Sequence, residues 1–76
     1  MNKIFNKLAE DNRSFDWNYD GERESINIFI DDGKEIEIVK TTQGYDVFMP
    51  SDKPFIPPTQ FKKVTEEEVL KLLGYE

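Results

Sequence analysis

The residues best placed to do chemistry are Asp16-Trp17-Asn18-Tyr19-Asp20-Gly21, where oxygen-bearing side chains alternate along the chain and a glycine follows. This is the first half of a calcium loop of the form D-x-N-x-D-G, in which alternate oxygens and a sharp glycine turn let the chain wrap a hard cation. The pattern then breaks. The position that should supply a bidentate glutamate is Asn27, and no strong helical pattern flanks the segment. The expected arrangement is instead a strand whose wet side carries Asp16, Asn18 and Asp20 and whose dry side carries Phe15, Trp17 and Tyr19, with Trp17 in the core. Whether the stretch 16–21 also takes calcium is left open by the partial match.

Two further acidic groups have local structural explanations. Asp31 and Asp32 precede Gly33 between two apolar-alternating runs and suit a turn. Glu66, Glu67 and Glu68 follow Thr65 at a helix start, where the helix dipole favours anions. The chain contains no cysteine and no histidine. Thiolate metal sites and disulfides are therefore excluded, and so are the commonest general base and the commonest transition-metal ligand. Carboxylates, lysines and tyrosines remain. They form no nucleophile–base pairing and no glycine-rich phosphate loop, and a chain of 76 residues leaves little room for a pocket. The expectation is a protein that is not an enzyme, with no cofactor and no metal.

The elements that must position these groups centre on Ser25–Lys40, SINIFIDDGKEIEIVK. A two-residue Asp32-Gly33 loop would set Ile28 against Glu37 and Ile30 against Glu35. A three-residue loop, Asp31-Asp32-Gly33, with Gly33 left-handed in a bulge, sets Ile28 against Ile36 and Ile26 against Ile38. The second register is the expected one. Thr41–Gly44 then turns the chain so that Ile38 meets Val47 and Ile36 meets Met49. Upstream, Ile4, Phe5 and Leu8 mark one face of a short helix, with Asn2 available as its N-cap. Downstream, Thr65 and Glu68 form a capping box flanked by Val64 and Val69, and Gly74 followed by Tyr75 suits a Schellman ending.

Four prolines fall within Pro50–Lys63, PSDKPFIPPTQFKK, and speak against helix or central strand there. A stiff crossover pinned to the core by Phe55, Ile56 and Phe61 is expected. Pro54-Phe55-Ile56-Pro57 also has the PxxP spacing of a polyproline ligand. The expected fold is one α+β domain over 1–76. It is a four-stranded antiparallel meander (about 15–19, 25–30, 34–40 and 45–49) with an N-terminal helix over 2–10 and a C-terminal helix over 65–73 on one face.

With the helices on the face carrying the isoleucines, the other face presents Asp16, Phe29, Glu35, Glu37, Val39, Asp46 and Phe48. Phe29, Val39 and Phe48 are too apolar for an ordinary wet surface, and a fringe of carboxylates around them has the anatomy of a protein interface. These seven residues are the candidate partner-binding set. Cover by the Pro50–Lys63 segment and a homodimer through this face are the competing uses.

The formal net charge of −6 repels nucleic acid and anionic membrane and favours a protein partner with a basic surface. No run is apolar for long enough to span a bilayer and no signal-peptide pattern opens the chain, so a cytoplasmic protein is expected. Small size, acidity and the lack of catalytic groups form the profile of inhibitors carried by phages and mobile elements. Nucleic-acid mimics and inhibitors of CRISPR or restriction systems are among these. The resulting expectation is a small acidic inhibitor that occupies a basic surface of its partner. An antitoxin or immunity protein would use the same physics, and an accessory subunit of a larger assembly would also show an apolar sheet face.

Overall fold

The computed structural model describes residues 2–30, 33–51 and 55–75. The sheet is five-stranded and antiparallel, with the strands adjacent in chain order: β1 (Phe15–Tyr19), β2 (Glu24–Phe29), β3 (Glu35–Thr41), β4 (Gly44–Met49) and β5 (Thr59–Val64). The register between β2 and β3 is the one that joins apolar to apolar, Ile26 opposite Ile38 and Ile28 opposite Ile36. Ile30 N donates to Lys34 O at 2.8 Å and closes the loop between them. Gly33 sits at φ +75°, the left-handed conformation the bulge requires. Asp31 and Asp32 lie outside the described residues. Between β3 and β4, Ile38 faces Val47 as expected. Both strands run further into the turn than expected, to a Thr41–Gly44 pair. Thr41 Oγ1 tightens that turn, accepting from Gln43 N at 3.2 Å and donating to Gly44 O at 3.0 Å.

The fifth strand corrects the expected four-stranded meander. Thr59–Val64 pairs with β4, Val47 opposite Phe61 and Tyr45 opposite Val64. The two pairings differ by one residue because Lys63, at φ +58°, bulges out of β5. The bulge brings Phe61 and Val64, three apart in sequence, onto the same face. The period of two that would have revealed a strand is thereby broken. The prolines bear on the approach to β5 rather than on the strand itself, since Pro57 and Pro58 precede it. β5 is also an edge strand, where backbone constraints are weakest.

Both helices lie on the isoleucine face. Helix α1 (Asn2–Glu10) inserts Ile4 and Leu8, and α2 (Glu66–Leu72) inserts Val69 and Leu70, over Ile26, Ile28, Ile36, Ile38 and Val47. α2 carries the expected signals. Thr65 and Glu68 form a reciprocal capping box. At the other end Gly74 N donates to Lys71 O and Tyr75 N to Leu70 O, the two bonds of a Schellman ending.

α1 is capped differently from the expectation. Asn2 is already helical, and the amides of Lys3 and Ile4 donate to Glu66 Oε2 at 3.1 and 3.4 Å. One helix thus supplies the anion that satisfies the other helix's N-terminal donors. Lys3 Nζ pairs with Glu67 at 3.3 Å beside it. Tyr75 Oη donates to Asp11 Oδ2 at 3.1 Å at the opposite ends, so the helices run parallel.

Four aromatic or aliphatic placements are corrected. Trp17 is 51% exposed, not in the core, although its strand phase is right and it lies opposite Ile26. β1 is an edge strand, and the Phe5 ring of α1 meets Phe15 and Trp17 edge-on without burying Trp17. Tyr19, also expected on the dry side, is 63% exposed. Phe55 and Ile56 do not pin the loop to the core. Phe55 is fully exposed and Ile56 half exposed, leaving Phe61 as the one of the three packed against the core.

Two measurements check this packing. A methyl group on Gly44, at φ +137°, would sit 2.7 Å from Val64 O of β5. Gly44→Ala should therefore lower stability by at least about 1–3 kcal/mol in urea unfolding. The second concerns Tyr45. Burial first, then the carboxylates of Glu66, Glu24 and Glu67, push its phenol above the ordinary value of 10.0. A raised value in the folded state means that this contribution to stability is intact below the ordinary value and lost as pH rises through the folded one. Phenolate absorbance should show a late step that is missing in Tyr45→Phe, and the variant's stability should fall less steeply at alkaline pH.

Candidate functional site

The strand registers turn the seven predicted residues into a surface. Asp16, Asn27, Glu37, Phe48 and Gln60 stand opposite one another in one row that crosses all five strands. Antiparallel partners share a face, so the whole row points away from the helices. The next row carries Ser25, Val39 and Asp46, and the row on the other side pairs Phe29 with Glu35. All seven candidates therefore lie on the helix-free face, and the isoleucines lie on the other.

Their environments differ. Phe29 is 44% exposed. Phe48 is half-buried between Glu37 and Gln60. Val39 is 8% exposed and so offers little contact area. Asp16 and Glu35 are exposed, whereas Glu37 and Asp46 are half-buried. Glu35 Oε1 accepts from Asn27 Nδ2 at 3.0 Å, which holds its carboxylate over the face. Asp46 Oδ1 accepts from Lys63 N at 3.3 Å and so serves the β5 bulge. Of the four acids, Asp46 thus has a structural task, and Asp16, Glu35 and Glu37 are the better candidates for contacting a partner.

The described part of the Pro50–Lys63 segment meets this face along one groove. Pro50, Ser51, Ile56 and Pro58 form one wall of an open groove whose other side is Glu35, Glu37 and Phe48. The sequence reading missed this wall because it assigned Ile56 to the core. The signal that could have found it is the cluster of prolines, which stiffens a surface loop and can hold an apolar side chain out in water. Phe55 has φ +69°, outside the polyproline II region, so this stretch does not have the shape of a polyproline ligand; Pro54 lies outside the described residues.

The stretch that resembled half a calcium loop is extended strand followed by a turn. Asp20 Oδ1 accepts from the amides of Arg23 and Glu22 at 2.7 and 3.0 Å, and these bonds hold its carboxyl below the usual carboxylate range. Asp16 and Asn18 lie on β1, and the chain does not wrap around a centre. Among the described residues, no group of three or more histidine, cysteine or carboxylate side chains is placed to hold a metal ion. No described helix is long and apolar enough to cross a membrane. Comparison with protein-family models, with curated proteins and with solved structures gave no match.

The assignment of faces has a direct test in adjacent residues. Ile28 is fully buried and Phe29, next to it, points the other way. Ile28→Ala should cost about 2–5 kcal/mol in urea unfolding, whereas Phe29→Ser should stay within about 0.5–1 kcal/mol of the parent.

Proposed function

We propose that this chain is a small acidic protein-binding module of the inhibitor type, acting by occupying a basic surface of a partner protein with the helix-free face of its sheet. The observation that carries the reading is the composition of that face. Phe29, Phe48 and Ile56 supply apolar anchors, and Asp16, Glu35 and Glu37 fringe them. Exposed aromatic side chains are the residues that most often dominate binding energy, and rim charges steer encounter and select the partner. The net charge of −6 adds a long-range attraction for a cationic surface and a repulsion for nucleic acid itself.

On this reading the protein works by occupancy and not by catalysis. A rigid sheet holds carboxylates at fixed spacings, so a partner surface built for phosphates can accept them without the chain having to reorder. The antitoxin or immunity role rests on the same interaction and differs in the biology of the partner.

The test is capture of partners by the immobilised protein at low and high salt, followed by binding measurements on variants. Charge reversal at Glu35→Lys with Glu37→Lys should weaken binding by roughly 100-fold or more while leaving the unfolding midpoint nearly unchanged, since both side chains contact solvent. Phe48→Ala should cost about 2 kcal/mol of binding, roughly 30-fold. Affinity that survives the charge reversal, or that is indifferent to salt, would rule out the electrostatic mechanism.

A further inference from the structure

The two edges of the sheet, β1 and β5, are finished differently. β5 has a bulge at Lys63, lysines at 62 and 63, and two prolines just before it. These are devices that discourage pairing with another sheet. β1 has none of them. Its register with β2 runs unbroken from Phe15 to Tyr19, and it contains no proline, glycine or lysine.

The hydrogen bonds beside β1 reveal which of its groups face outward. Phe29 N donates to Ser14 O at 2.9 Å, and Asp20 N donates to Arg23 O at 3.2 Å. In an antiparallel ladder, inward-bonding and outward-facing residues alternate. The even-numbered positions therefore bond to β2, and Phe15, Trp17 and Tyr19 direct their backbone N–H and C=O groups toward the free edge. The same three residues carry the aromatic side chains. Trp17 and Tyr19 lie with parallel rings, 51% and 63% exposed, beside Phe5 at 40%.

We propose that β1 is a self-association edge: a second copy of the chain pairs its β1 antiparallel across a twofold axis at Trp17, joining the two sheets into one. In this register Trp17 faces Trp17 of the second copy and Phe15 faces its Tyr19. Every outward amide and carbonyl of the strand meets a complement, and the aromatic side chains share one face. An axis at Asp16 or Asn18 would leave one of the three outward residues of each copy without a partner.

The charges agree with the same register. Asp16 meets the amide of Asn18, not another carboxylate. Arg13 precedes the strand and Asp20 and Glu22 follow it, so the antiparallel arrangement brings the cationic end of each copy to the acidic end of the other. This pairing shares only Asp16 with the partner-binding reading and does not rest on it. It uses the edge and leaves the face carrying Phe29 and Phe48 open on both copies.

The test is sedimentation equilibrium of the intact chain from micromolar to millimolar concentration, at moderate salt so that repulsion between two −6 copies is screened. The mass should rise from 9.0 kDa toward twice that value. Emission from Trp17, the single tryptophan, should shift to shorter wavelength as the ring is covered. Trp17→Lys and Tyr19→Lys each place a charge on the joined face and should weaken association at least tenfold, with circular dichroism confirming the fold. The chain has no cysteine. A mixture of Asp16→Cys and Asn18→Cys chains should therefore cross-link on mild oxidation as the mixed dimer in preference to either homodimer. A mass that stays at 9.0 kDa at millimolar concentration overturns the proposal. So does a dimer undiminished in both lysine variants, or cross-linking with no preference for the mixed pair.

Discussion

The spacing of one loop sets the direction of the side chains across the sheet. Three residues separate Ile30 from Lys34, and that count places Ile26 against Ile38 and Ile28 against Ile36. One residue fewer would oppose isoleucine to glutamate along the whole hairpin, because a slip of one position exchanges the two faces of a strand. With the register set, the isoleucines of β2 and β3 join Val47 of β4 in one apolar floor, and both helices must lie on it to bury Ile4, Leu8, Val69 and Leu70. The other face is left to water or to a partner by the same constraint.

Neither helix is long enough to be stable by itself in water. Each depends on the floor, and they also depend on each other. Glu66, the first residue of α2, accepts from two amides at the start of α1, and Tyr75 reaches Asp11 at the far end. The chain's two terminal elements are thus tied together over the sheet, which couples the formation of β5 and α2 to the docking of α1. A cluster of three glutamates that could have passed for an acidic site has divided structural duties. Glu66 caps α1, Glu67 pairs with Lys3 and Glu68 closes the capping box of α2.

Among the described residues, two of the regions where the fold leaves apolar side chains exposed bear on binding. One is the helix-free face, where Phe29 and the groove at Phe48 lie among carboxylates. The other is the edge at β1, where Trp17 and Tyr19 extend past the cover that α1 can give. The Phe5 ring of α1 meets Phe15 and Trp17 edge-on, yet Trp17 and Tyr19 stay 51% and 63% exposed.

Local sequence determined most of the elements and the faces. Alternating isoleucines, a glycine at a left-handed turn, a capping box and a Schellman glycine each act over a few residues, so their consequences could be read from neighbours in the chain. The same holds for the seven residues of the helix-free face, whose side follows from strand phase. Only the tertiary structure decided the rest. β5 was hidden because the Lys63 bulge breaks its alternation, and that bulge makes sense only once Asp46 and β4 lie beside it. The exposure of Trp17, the outward placement of Phe55 and Ile56, and the capping of α1 by Glu66 depend on which distant elements arrive to cover or to bond a group. Phase tells a side chain which way to point; whether anything stands there to meet it is settled by contacts far apart in the chain.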